Sequence, residues 1–273
     1  MDYRRRMYEF LSFIRHLPSY FRLHVRNVAR SYASGHPGNA LFLDRERYII
    51  SPPSSSVTHA VWIQHSTFDD GHREDAVFRR LRAGCANFLD LGAAEGYYSA
   101  LFAVTADRPS RVVAVDLAPE MCRLHEEVIL ANSGLSGQPL DWTIHQAAIT
   151  DRDGRTTLGD GLGLTCWYDK DPSRPVETFT LQGFIDRVGL NPDLVKIDIE
   201  SFEYEVVTSS IDWFARHRPR LHLELHSRMM RERGKSPEEL MNRLLQHYRI
   251  IGSVPSDHRT AAIARFGLVP RPA

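Results

Sequence analysis

Two stretches bring acids and histidines together at alternate positions. In "LVKIDIESFEYEVV" (194–207), Lys196, Asp198 and Glu200 alternate with Val195, Ile197 and Ile199, and Glu203 and Glu205 follow at once. In "RLHLELH" (220–226), His222, Glu224 and His226 alternate with Leu221, Leu223 and Leu225. Residues two apart share one face of a strand, so each stretch reads as a strand with one apolar and one ionisable face. Covered parallel strands normally read apolar throughout, and unpaired buried charge is costly. Such a face therefore needs a use. If the two strands are neighbours, their polar faces lie side by side. Ligands of open α/β sheets sit outside the C-terminal strand ends, which selects Asp198, Glu200 and His226 as site residues. The chemistry they suggest is proton transfer. His226, whose ordinary pKa is near neutral, is the expected base, and Asp198 and Glu200 would orient an acceptor or take its proton themselves. Lys196 and His222 lie deeper and read as members of internal ion pairs or hydrogen bonds. Glu203 and Glu205 open a helix, where acids suit the dipole, and Glu205 reads as part of a solvated face. Two histidines and three carboxylates could ligate a divalent ion, but HxExH along a strand has no distinctive metal spacing, so no metal is expected.

A second constellation precedes these. "FLDLGAAEGYYS" reads as a strand, a tight turn and a helix start, with the spacing Asp90-x-Gly92-x-x-x-Gly96. Glycine permits a sharp turn and close backbone approach, and the helix start offers free N–H groups. The following strand ends at Asp116, placed to accept the hydroxyls of a ribose diol. A dinucleotide turn wants GxGxxG, and Ala94 occupies its middle position here. The looser turn with its leading acid suits S-adenosylmethionine, whose ammonium Asp90 would attract directly or through water.

The elements that must carry these residues follow a regular pattern from about residue 75. "REDAVFRRLRAG", "YYSALFAVTA" and "PEMCRLHEEVILANSG" read as helices between the strands "NFLDLG", "RVVAVDL" and "DWTIHQAAI", a parallel doubly wound order. A glycine- and aspartate-rich insertion with a hairpin follows, then "VETFTLQGFIDRVG" as strand and helix. The strand 194–200, its helix, "RLHLELH", and a helix capped by Ser236 with Glu239 as a capping box come next. "RIIGSV" and "ARFGLV" read as a closing antiparallel hairpin. Residues 1–75 read as an N-terminal extension and 76–273 as the main domain. The extension opens with a basic, aromatic helix over 3–33, suited to packing on the main domain or on a second copy. "ALFLDRERYII" and "VTHAVWIQH" read as short strands.

Composition narrows the class. Lys plus Arg equals Asp plus Glu at 34 each, so overall charge argues against nucleic acid or an anionic membrane as partner. No apolar run reaches the ~20 residues of a membrane span. Cys85, Cys122 and Cys166 form no CxxC pair, which fits a reducing, cytoplasmic compartment.

"FLDLGAAEGYYSALFA", "VVAVDLAPEMCRLHEEVILANSG", "VETFTLQGFIDRVG", "LVKIDIESFEYEVV" and "RPRLHLELH" together resemble the FkbM family of S-adenosylmethionine-dependent methyltransferases, over about residues 75–226. The resemblance implies a class I methyltransferase (Rossmann-like) α/β fold. Its sheet would have seven mainly parallel strands with a reversed last strand and helices on both faces. It implies methyl transfer, usually to oxygen, on a small-molecule acceptor such as a sugar, glycolipid or polyketide-type natural product. The implied cofactor set is Asp90, Gly92, Ala93, Ala94, Gly96, Tyr97, Asp116, Gln146, Ala147 and Asp198. The acidic block matches Asp198, Glu200 and Glu203, and the fifth-strand pair matches Glu224 and His226. The family commonly reads Lys-Ile-Asp-Val-Glu-Gly-Ala-Glu; here Ser201 and Phe202 replace the glycine and the small residue, and Ala94 stands where Asn is frequent. A nucleotide-dependent oxidoreductase and a non-catalytic binding module on the same fold are the rival readings. Calorimetry with S-adenosylmethionine against NAD separates the first, and cofactor binding without methyl transfer marks the second.

Overall fold

The computed structural model describes residues 35, 40–43, 47–55, 58–59, 61–62, 69–157, 171, 173–255 and 263–272. The expected N-terminal helix over 3–33, Cys166 and the tip of the insertion lie outside the described residues.

Seven strands form the central sheet. In chain order they are β3 (Asn87–Leu91), β4 (Ser110–Asp116), β5 (Leu140–Gln146), β9 (Leu194–Ile197), β10 (Arg220–His226), β11 (Tyr248–Pro255) and β12 (Ile263–Pro270). Their order across the sheet is β11-β12-β10-β9-β3-β4-β5. β3, β4, β5, β9 and β10 pair in parallel, and β12 runs antiparallel to both of its neighbours. This is the class I methyltransferase arrangement, with the reversed last strand inserted beside the fifth. A two-stranded hairpin, β1 (Ala40–Phe42) and β2 (Tyr48–Ile50), stands apart from it. A small sheet is built from β6 (Ala148–Thr150), β7 (Gly154–Thr157) and β8 (Pro175–Thr180).

Strand parity divides the core. Leu89, Leu91, Val195, Ile197, Leu221, Leu223 and Leu225 share one apolar cluster with residues of α4 (Leu181–Val188), α5 (Glu203–Ser209), α6 (Ile211–His217) and α8 (Pro237–His247). Phe88 and Leu194 belong to a second cluster, with residues of α1 (Asp69–Arg82), α2 (Tyr97–Val104) and α3 (Pro119–Asn132). Both clusters are buried, which gives the two covered faces of a doubly wound sheet. The polar residues of β9 and β10 alternate with the first cluster and therefore face α1 and α2. Asp90, Lys196 and His222 are register partners in one row across three strands.

Several local expectations need correction. β9 ends at Ile197 rather than continuing to Glu200, because the chain turns over with Glu200 at φ 53° and Ser201 at φ 86°. Thr58, His59, Val61 and Trp62 of "VTHAVWIQH" are helical, not extended. Ser236 caps α8 by accepting from the Glu239 N–H, but the Glu239 carboxylate bonds Tyr204 and Arg243, so the capping box is not reciprocal. Within the described chain, residues ahead of α1 pack onto the main sheet's helices. Asn132 of α3 bonds both the N–H and the C=O of Ile50, and Trp62 Nε1 donates to Glu95 at 3.3 Å. No helix among the described residues is long and apolar enough to cross a membrane.

Candidate active site

The glycine turn joins β3 to α2. Gly92 and Ala93 donate their N–H groups to Val115 O, which stitches the turn to β4. Gly92 has φ 71°, and a Cβ there would lie 1.6 Å from the carbonyl oxygen of Asp198. Glycine is required because another turn's backbone passes through the space. Gly96, at φ 95°, faces the His125 ring, which a Cβ would meet at 3.0 Å. The close approaches resolved at both glycines are therefore internal. Ala94 is left-handed at φ 45°, a region where Asn is more at home than Ala. It is pinned from two sides: its N–H donates to Asp116 Oδ2 at 2.9 Å, and its carbonyl accepts from His125 Nδ1 at 3.2 Å. Because Trp142 Nε1 donates to His125 Nε2, the imidazole is neutral with its proton on Nδ1. Burial pushes the His125 pKa down to about 4.

Asp116 ends β4 beside this turn. Its two oxygens accept one backbone N–H each, from Ala118 and Ala94, which leaves lone pairs on both. Burial outweighs those bonds and pushes its pKa up to about 6. Gln146 is exposed at the end of β5, and Ala147 is buried beside it, its N–H donating to Asp116 O. Two expected cofactor residues are committed elsewhere. Asp90 is fully buried, accepts from Ser99 at 2.7 Å and lies 3.5 Å from Lys196, so its carboxylate serves that pair rather than meeting a ligand ammonium directly. The Tyr97 hydroxyl donates to Asp75 of α1 at 2.7 Å.

The acid-histidine corner forms where β9 and β10 end. Glu203 Oε1 accepts three hydrogen bonds: from the N–H of Ile199 at 3.1 Å, from that of Ser201 at 3.2 Å, and from His226 Nδ1 at 2.9 Å. His226 Nε2 then faces Glu200 at 3.6 Å, Glu224 at 3.8 Å and Asp198 at 3.9 Å. Burial alone would deprotonate this ring, but the Glu203 bond and the other carboxylates overcome it and push the pKa up to about 10. His226 is thus an imidazolium at neutral pH, and the expectation of a neutral base there is corrected by its four acidic neighbours. Burial and the nearby Asp198 charge push Glu224 up to about 7, although Arg265 binds it through two hydrogen bonds of 2.9 and 3.0 Å. Asp198 is lowered: Lys196 and His226 outweigh its burial. Donor atoms of Asp198, Glu224 and His226 lie within 4.8 Å of one another, a set able to hold a metal ion.

Lys196 connects the two halves. Its Nζ donates to Gly92 O at 3.0 Å and to Asp198 Oδ2 at 3.1 Å. The deeper pair behaves as expected, with His222 3.6 Å from Glu74 of α1. Glu205 does not. It is buried and bonded to Arg233, because α7 (Ser227–Glu232) brings that arginine across the helix start. Phe202 is buried beneath the small sheet with Ala148 and Val176. Arg265 and Glu74 were not legible as site residues, since only the β12 register and the docking of α1 bring them together, at 2.8 Å.

Comparison with curated proteins finds no match. Among solved structures, the chain is similar to methyltransferase FkbM from Methylobacillus flagellatus KT, with 15% identity and a TM-score of 0.49. That similarity covers 94% of this chain, which spans 60% of the other's length. It is also similar to an O-methyltransferase from Bacillus cereus in complex with SAH, with 9% identity, a TM-score of 0.43, and coverage of 73% and 81% of the two chains. The sequence model described as the methyltransferase FkbM domain matches residues 90–250, and on that match the chain belongs to the FkbM methyltransferase family.

Proposed function

We propose that the protein transfers the methyl group of S-adenosylmethionine to a hydroxyl oxygen of a small acceptor such as a sugar, glycolipid or polyketide-like compound. One observation carries this beyond family membership. Lys196 binds both Gly92 O and Asp198, so the glycine turn and the acid corner form one continuous site. The residues suit the cofactor. Asp116 retains acceptor capacity for a ribose diol. Asp90, Asp198, Glu200 and Glu203 outnumber the cations Lys196 and His226, while Arg265 is offset by Glu74 and Glu224, and this balance favours a ligand carrying positive charge. The turn backbone at Gly92, Ala93, Ala94, Gly96 and Tyr97, with Gln146 and Ala147, would border the same ligand. When bound, the cofactor supplies an electrophilic methyl on a cationic sulfur.

The chain's own part is to align the acceptor and accept its proton. Asp198 and Glu200 keep side-chain exposures of 27% and 29%, and they are the carboxylates open to an acceptor. One of them takes the hydroxyl proton. His226, held charged by Glu203, orients them. The reading uses no metal, because Arg265 and Lys196 already pair with Glu224 and Asp198. A chelator is therefore expected to leave turnover unchanged. We also place the protein in the cytoplasm, in keeping with the free, buried thiols of Cys85 and Cys122.

The test is transfer of labelled methyl from S-adenosylmethionine into small molecules of a cell extract, with calorimetry of S-adenosylhomocysteine against NAD. Asp198→Asn with Glu200→Gln should abolish transfer, while S-adenosylhomocysteine, which lacks the sulfonium charge, should still bind, though more weakly. Binding of NAD without S-adenosylhomocysteine would sink the proposal.

A further inference from the structure

Glu200 and Ser201 are consecutive non-glycine residues in left-handed backbone, at φ 53° and 86°. Each such residue costs on the order of 1–2 kcal/mol, so neighbouring contacts must hold the turn. Inside the turn, Glu203 collects the Ile199 and Ser201 N–H groups. The carbonyl side is held from outside. Arg233, directly after α7, donates from Nη1 to Ser201 O at 2.7 Å and to Ser201 Oγ at 3.2 Å. Its Nη2 donates to Glu205 Oε1 at 2.8 Å, and its guanidinium stacks 3.9 Å from the centre of the Phe202 ring. One planar fork thereby grips three successive features of the turn: its strained peptide, the ring beside it, and the first turn of α5. A lysine could not reach all three, because its ammonium is a single point with no plane to stack.

We propose that Arg233 is a positioning residue, which holds the left-handed Glu200–Ser201 turn and through it keeps Glu203 and Glu200 against His226. The proposal builds on the methyltransferase reading of this corner, but its physical content is independent of the acceptor. The groups facing His226 are Glu203 and Glu200 from the turn, Asp198 from the end of β9, and Glu224 from β10. Only the first two depend on Arg233. Loosening the turn removes them and leaves Asp198 and Glu224, whose own partners are Lys196 and Arg265.

The test is NMR titration of the His226 ring in the full chain, in wild type, Arg233→Met, Ser201→Gly and the double variant. Arg233→Met should lower the His226 midpoint by at least about one pH unit, toward the ordinary imidazole value. Ser201→Gly alone should leave it in place, because glycine adopts the turn unaided. The double variant should recover most of the wild-type midpoint. A structural role through Glu205 alone would give the same fall in both backgrounds, and that result overturns the proposal, as does an unmoved midpoint in folded Arg233→Met. If Arg233→Met does not fold, Arg233→Lys keeps a charge for Glu205 and serves instead. The expected result is then a smaller fall, again removed by Ser201→Gly, and no fall overturns the proposal. A wild type that transfers no methyl yet shows the rescue upholds the positioning role and removes only the functional reading.

Discussion

Two buried imidazoles sit at the two ends of the site, and they carry opposite charge states. His125 lies under the glycine turn between a carbonyl and an indole N–H, where burial pushes it down to about 4. His226 lies in the acid corner, where Glu203 and its neighbours push it up to about 10 in spite of burial. The same side chain is a neutral wedge in one place and a fixed cation in the other. The difference follows from what each end must do. The turn is organised by space and backbone hydrogen bonds, with small residues and left-handed Ala94. The corner is organised by charge, with four carboxylates around one ring.

That contrast can be broken at either end. The largest effect belongs to the turn. Gly92→Ala forces a Cβ 1.6 Å from Asp198 O in left-handed backbone, and it should cost roughly 4–5 kcal/mol in urea unfolding. A loss under about 1 kcal/mol would show that the two turns are not in contact.

In the corner, His226→Gln leaves the carboxylates uncompensated and should cost about 3–4 kcal/mol near neutral pH. The His226 pKa is raised on folding from 6.5 to about 10, so its contribution is complete below pH 6.5 and is lost as pH climbs through 10. Wild-type stability should fall along that limb, and the variant should show a flatter one.

His125 supplies the mirror image. Its pKa is depressed on folding from 6.5 to about 4, so its contribution is complete above pH 6.5 and fades as pH drops through 4. Over that range the wild type should lose roughly 2–3 kcal/mol more than His125→Phe does. Equal acid limbs in the two proteins would put the protonation elsewhere.

The smallest effect concerns ligand binding. Asp116→Asn should weaken S-adenosylhomocysteine by about tenfold to a hundredfold in calorimetry, while stability changes little. In wild type the affinity should be full above pH 6 and decline below it, as the Asp116 carboxylate, pushed up to about 6, takes a proton.

Much of the frame was legible in the sequence because it depends on parity and turn chemistry. Alternation in "RLHLELH" and "LVKID" placed Lys196, Asp198, Glu224 and His226 on one face, and β9 and β10 are indeed parallel neighbours. Parity also misled. Ile199 and Glu200 keep the alternating rhythm, yet the chain has already left the strand, because Glu203 gathers the amides of Ile199 and Ser201. Nothing in local composition announces that bond. The charge on His226 was hidden for a related reason: a pKa belongs to the surroundings, and Glu203 and Glu200 reach the ring only through the turn. Arg233 and Arg265 were unreadable because each acts across the register of an element distant in sequence. Ser201, the odd residue of "KIDIESFE", becomes intelligible only with Arg233 beside it.

The contact between Gly92 and the Asp198 carbonyl has one more consequence. Two loops that touch through main-chain atoms keep a separation that side chains around them do not set, and that only a Cβ forced in at Gly92 itself would alter. On the proposed reading, the span from the methyl-donor side to the proton-accepting side would then be set like a gauge block, the same for every acceptor. Acceptor choice must then be written at the rim, by whatever surrounds that span, and a change of acceptor should leave Gly92 and the main chain at 198 untouched.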